Sequence, residues 1–231
     1  MRLLPFLRGA VAAWSMVLSF MAPAQTPPPP AEAARYTGLH AAAWQGDAAR
    51  IAQLLAQGAD PNSRDGHGRT PLHVATFAKR REALRALAKG GADLGALEND
   101  RYDAVTIAAV ADDEATLRLL LELGASAKLI TSRYDGTALI AAAHLGHDGV
   151  VRMLIAAGAP LDHVNNLHWT ALIESIVLGQ GGPRHVATLK ALVDAGANTQ
   201  LTDREGRTPL VLARARVYEP MLRILLQAGA R

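Results

Sequence analysis

Three histidines, His144, His147 and His163, fall close enough along the chain to raise the question of a metal or small-ligand site. Asp148 follows directly, and five further histidines are spread elsewhere. A zinc site needs three or four ligands converging on one point, each oriented by an outer shell of partners. Nothing in the spacing of these residues demands that convergence, so ligand binding through His144, His147 and His163 stands as an alternative reading. Gly179-Gln180-Gly181-Gly182 raises the question of a phosphate cradle. No Lys-Ser or Lys-Thr follows it and no strand-like run precedes it, so it reads as a flexible insertion. Catalytic patterns are missing too: there is no Gly-x-Ser-x-Gly elbow and no His-Glu-x-x-His. Asp112-Asp113-Glu114 sits where a helix begins and complements its dipole. Lys79-Arg80-Arg81 is the densest basic cluster and reads as a solvated turn. With no cysteine, the chain has no disulfide, thiolate metal ligand or cysteine nucleophile. The expectation is a protein that is not an enzyme and has no cofactor.

The 231 residues are half apolar, with 24 Lys+Arg against 21 Asp+Glu. That composition is too apolar for a disordered chain. The first 24 residues have the three-part layout of a secretory signal peptide: Arg2 and Arg8 without an acid, the apolar run Ala10–Met21, then Ala22-Pro23-Ala24. The run falls short of the ~20 residues of a membrane-spanning helix. Cleavage after Ala24 is therefore expected, leaving no stable membrane span. It takes away Arg2 and Arg8 and no acid, so the +3 of the whole chain falls to +1. Little charge remains to attract a phosphate backbone, and no nucleic-acid partner is expected. Residues 25–32 contain four consecutive prolines, Pro27–Pro30, and read as a stiff polyproline spacer. The expected location is the periplasm, with full secretion as the alternative.

The rest of the chain repeats. Gly-Ala pairs at Gly58, Gly91, Gly124, Gly158, Gly196 and Gly229 are spaced 33, 33, 34, 38 and 33 residues apart. A second marker, Thr37, Thr70, Asp103, Thr137, Thr170 and Thr208, keeps step with them. Two locked phases over six units mean an array of small modules rather than one globular core. Within a unit, Thr70-Pro71 opens a helix with a capping hydroxyl and a proline at its first position. A second helix, about 81–89, ends at Gly90-Gly91. Leu84 and Leu87 share its apolar face. Paired alanines such as Ala42-Ala43, Ala108-Ala109 and Ala142-Ala143 let first helices of neighbouring units approach closely. A turn-rich stretch, residues 59–68 in one unit, reads as a projecting hairpin or loop.

Residues 58–73, Gly-Ala-Asp-Pro-Asn-Ser-Arg-Asp-Gly-His-Gly-Arg-Thr-Pro-Leu-His, closely resemble the ankyrin-repeat signature, and residues 203–210 repeat its leading half. His40 and His73 match the signature histidine, and Gly146-His147 the turn between helices. The resemblance covers about residues 33–231. It implies an all-α solenoid of about six helix-turn-helix repeats with projecting hairpin fingers. The repeats run approximately 33–64, 65–97, 98–131, 132–164, 165–202 and 203–231. Unit three departs from the pattern, with Asp103 as marker and Arg101 in place of glycine. Unit five carries five extra residues around Gly179–Pro183. Arg214, Arg216 and Arg223 suit a solubilising last unit.

By this resemblance the aromatics gather on one side. Tyr36, Tyr102, Tyr134 and Trp169 fall on fingers, while Trp44 and Phe77, with His144, end first helices on the concave face. Aromatics carry much of the energy of protein interfaces. Arg69, Arg133, Arg204 and Arg207 decorate the same edge, with His67 at a fingertip, and could supply charge-assisted contacts. These twelve residues form the candidate surface for an unidentified protein partner in the cell envelope. Self-association through an uncapped end, as a structural stabiliser, is a further alternative.

Overall fold

The computed structural model describes residue 25 and residues 27–231; the segment read as an export signal, residues 1–24, lies outside the described residues. A one-turn helix α1 (Pro30–Ala33) precedes six helix pairs. The inner helices are α2 (Gly38–Gln45), α4 (Pro71–Phe77), α6 (Ala104–Val110), α8 (Ala138–Leu145), α10 (Ala171–Val177) and α12 (Pro209–Ala215). The outer helices are α3 (Ala48–Ala56), α5 (Arg81–Lys89), α7 (Glu114–Glu122), α9 (Asp148–Ala156), α11 (Pro183–Asp194) and α13 (Glu219–Gln227). Inner helices pack on inner and outer on outer along the stack. The core is one continuous aliphatic seam from Leu39 to Ala230. The alanine pairs at 42–43, 108–109 and 142–143 are almost wholly buried in it, as close stacking requires.

From unit three on, the marker residues cap the inner helices through their side chains. Thr137, Thr170 and Thr208 each accept a hydrogen bond from the backbone N–H three residues on, and Asp103 Oδ1 accepts from Thr106 N at 2.8 Å. Such a cap contributes about 1 kcal/mol. Unit two differs. There the His73 ring accepts from the Thr70 N–H at 3.1 Å through Nδ1, which leaves Nε2 to donate to the Tyr102 carbonyl at 3.1 Å. Burial pushes this imidazole down to about 4, so it stays neutral in that bridge. His40 Nε2 meets the Arg69 carbonyl in the same way at 2.9 Å. Both rings tie a first helix to the finger of the next unit.

Each finger is closed by one backbone bond between its arms, for example Asp65 N to Arg69 O at 3.0 Å and Asn165 N to Trp169 O at 3.0 Å. The residue five before each marker from Thr70 on braces the tip: Asp65, Glu98, Ser132, Asn165 and Asp203 all accept finger N–H groups through their side chains. Successive fingers are joined by Asn99 N to His67 O at 3.1 Å, Ser132 N to Arg101 O at 2.9 Å and Asn166 N to Tyr134 O at 2.9 Å. From finger five to finger six the link is a side chain, with Arg204 donating to the Asn166 carbonyl.

Two sequence expectations shift in detail. Regular structure begins at Pro30, inside the stretch read as spacer, because Glu32 reaches the first complete finger and pairs with Arg69. The five extra residues of unit five are divided: three lengthen α11 to 12 residues against 9 in α5 and α9, and two lengthen the turn before it.

Candidate functional site

The inner helices and the fingers meet at a concave angle, and in units three to five that angle holds a cavity of about 300 Å³. Its floor comes from Thr106 and Val110 of α6, Ile140, Ala141 and His144 of α8, and Glu174 of α10, with Leu178 just beyond. Its wall comes from three successive fingers, which contribute Tyr102, then Tyr134, then Leu167 and Trp169. Most of this lining is apolar or aromatic. No lysine or arginine belongs to it.

Glu174 is the unusual residue. Four positions after the marker, the other units carry Ala41, Val74, Ile107, Ala141 and Leu212. Glu174 is 5% exposed, and its Oε1 accepts a hydrogen bond from Asn165 Nδ2 at 2.9 Å. Asn165 uses its other end, Oδ1, to accept the N–H groups of Leu167 and Trp169. One asparagine therefore fixes both the Trp169 finger and the carboxyl. Glu174 Oε2 has no hydrogen-bond partner among the described residues; the nearest basic atom, His144 Nδ1, lies 3.7 Å away. Burial, opposed by the Asn165 bond, pushes the Glu174 carboxyl up to about 8. Burial also pushes the His144 imidazole down, with His185 and His147 acting in the same direction. Near pH 7 the two therefore meet mainly as neutral groups rather than as a salt bridge.

Of the twelve residues singled out from sequence, Tyr102, Tyr134, His144 and Trp169 are brought together around this cavity. Trp44 is next to last in α2 and Phe77 is last in α4, each seven residues after its marker. In that repeat register Val110 and His144 line the cavity two and three units on. Tyr36 donates from its hydroxyl to Asp65 Oδ2 at 2.8 Å, and burial together with that bond raises its phenol well above the usual range.

The arginines are largely committed to the protein itself. Arg69 is 4% exposed and is paired with Asp65 at 2.7 Å and with Glu32, so its guanidinium braces the finger from within instead of facing a partner. Arg133 pairs with Asp100 across adjacent fingers, and Arg207 with Asp203 at 2.7 Å. Arg204 holds the Asn166 carbonyl. Among these finger residues, exposed His67 lies 3.6 Å from Glu32.

The histidine alternative is rearranged as well. His147 Nδ1 contacts the Ala109 carbonyl at 2.9 Å, and His163 Nε2 the Asp135 carbonyl at 2.6 Å. His147 thus ties unit four to unit three, and His163 ties the end of unit four to the finger at its start. Among the described residues no group of three or more His, Cys, Asp or Glu stands where it could hold a metal ion. Glu174 was not singled out from sequence. Its one available signal was a lone acid in an otherwise aliphatic column of the repeat.

Comparison with known proteins agrees with this architecture. Residues 39–131 match the family model for ankyrin repeats in three copies, and residues 134–166 the model for a single ankyrin repeat. The ankyrin repeat protein YahD of Escherichia coli (strain K12) is 34% identical over 190 residues, covering 82% of this chain and 94% of its own. The human B-cell lymphoma 3 protein is 30% identical over 193 residues, and the match spans 41% of its length. A crystal structure of an ankyrin repeat domain from Acinetobacter baumannii AYE superposes with a TM-score of 0.79 at 44% identity, covering 84% of this chain and 98% of that one. Stacked pairs, bridged fingers and family matches converge on one conclusion: this chain belongs to the ankyrin-repeat family.

Proposed function

We propose that this protein binds another protein in the bacterial cell envelope, using the concave face and the fingers of units three to five. Ankyrin repeats generally mediate protein–protein interaction, and the family and fold are typically non-enzymatic. The observation that carries the proposal is the meeting of Tyr102, Tyr134 and Trp169, from three different fingers, around one partly open cavity. Rigid aromatics in such a setting are the usual anchors of a protein interface. No helix among the described residues is long and apolar enough to cross a membrane. The N-terminal segment supports export with cleavage after Ala24, to the periplasm or beyond. No nucleic-acid partner is proposed.

Crosslinking in intact cells, followed by affinity capture of the native protein, tests this. The expected result is one dominant captured protein, lost in the triple variant Tyr102→Ala, Tyr134→Ala, Trp169→Ala. Undiminished capture by that variant would move the interface elsewhere. N-terminal sequencing of the same material is expected to begin at Gln25; a chain starting at Met1 would remove the export reading.

A further inference from the structure

The cavity carries more information than its aromatic content. A purely apolar anchor from a partner would leave Glu174 Oε2 sealed off without a partner, which is costly for a polar atom. An anionic anchor would face a carboxyl, with no lysine or arginine in the lining to offset it. An organic cation suits every feature. Aromatic faces attract cations, and the attraction grows when water is excluded. The free oxygen of Glu174 can accept an N–H bond that becomes charge-assisted on transfer of the carboxyl proton. The volume of about 300 Å³ is at the lower end for a whole small ligand, and suits one long side chain. Long basic side chains have apolar stems that lie along apolar walls while the charged head finds its partner.

We propose that this cavity receives one lysine or arginine side chain of the bound protein, its stem against Tyr102, Tyr134 and Trp169 and its cationic head at Glu174 Oε2. The proposal rests on the protein-binding reading above and adds the chemistry of the anchor.

The surroundings of Glu174 give this binding a proton signature. From α8 the facing titratable group is His144, and behind it His185 of α11 holds the His144 carbonyl at 3.0 Å. The fingers present Tyr102 and Tyr134; His163, His168 and Asp135 lie outside the lining. Helix α6 has no titratable side chain, and Arg214, the charged residue of α12, is exposed and outside the lining. The empty site keeps its carboxyl proton until about pH 8. An arriving cation favours the carboxylate, so binding near pH 7 releases up to one proton. Affinity then rises with pH from 6 to 8, by at most tenfold per unit.

The test uses the full chain and three blocked amino acids as probes: N-acetyl-lysine methylamide, N-acetyl-arginine methylamide and N-acetyl-norleucine methylamide. The norleucine compound keeps an apolar stem and lacks the charge. Binding is read from the Trp169 indole ¹⁵N–H resonance, assigned with Trp169→Phe, and proton release from calorimetry in two buffers. The expected result is a saturable shift with the lysine or the arginine probe at up to about 20 mM, and little or none with norleucine. Glu174→Gln weakens that binding at least tenfold and abolishes proton release, with its circular dichroism unchanged. Should that variant misfold, Tyr134→Leu removes an exposed ring while leaving the carboxyl, and is expected to weaken binding several-fold. Equal binding of norleucine, binding unaffected by the variants, or no shift with either cation would overturn the proposal. A protein that ignores both cations yet captures its partner through the three aromatics keeps the interface and loses only the anchor. One that binds cations yet captures nothing keeps the pocket and loses the interface.

Discussion

At the scale of single residues, burial changes the chemistry that residue type alone suggests. Glu174 holds its proton up to about pH 8 in the folded chain but only to about 4.3 when unfolded. Between those values the folded state binds a proton that the unfolded state lacks. Its contribution to stability is complete below the lower value and is lost as pH rises through the upper one. Glu174→Gln does not titrate and keeps an oxygen for Asn165. The variant is expected to gain on the native protein by on the order of 3 kcal/mol between pH 5 and pH 8, read from urea midpoints at both. Val217 makes a separate point. It has φ of 57° in the turn before α13, where Gly46 and Gly146 occupy the matching turns of units one and four. A β-branched residue is strained there, and Val217 is 72% exposed, so little packing offsets the strain. Val217→Gly is expected to raise stability by about 0.5–1 kcal/mol in thermal unfolding, the strain relief exceeding the added chain entropy.

At the scale of elements, caps and aliphatic faces were legible because each is set by neighbours three or four residues away. Helix α5 runs from Arg81 to Lys89, as the leucine spacing predicts. The start of α1 was not legible, because Glu32 owes its place to Arg69, 37 residues on. The same holds for Arg69 itself, which reads as a surface arginine until the acids on either side of it are in position. Within the lengthened helix α11, Thr188 is fully buried and its hydroxyl has no hydrogen-bond partner among the described residues. An unpaired buried hydroxyl costs more than the methyl that would replace it. Thr188→Val is expected to stabilise the protein by about 1 kcal/mol, as a shift in denaturant midpoint without a change in slope.

At the scale of the whole molecule, the stack has only nearest-neighbour support, so its ends are its weakest parts. The last unit exposes Val211, Val217 and Leu226. Native-state hydrogen exchange is expected to show α12 and α13 opening roughly tenfold or more faster than α6 to α9. Uniform protection along the chain would mean that the end is covered, as self-association would do. The period of the array was readable because the same packing problem recurs every 33 residues or so. The cavity was not, since it is assembled from three units and its key acid has meaning only beside residues from all of them. The main-chain bonds from finger two to finger five give the molecule one rigid plank, with its looser joint between fingers five and six. Tyr102, Tyr134 and Trp169 all stand on that plank. A visitor therefore finds the walls already spaced, and the speed of its arrival is governed by diffusion and orientation rather than by any prior bending of the host.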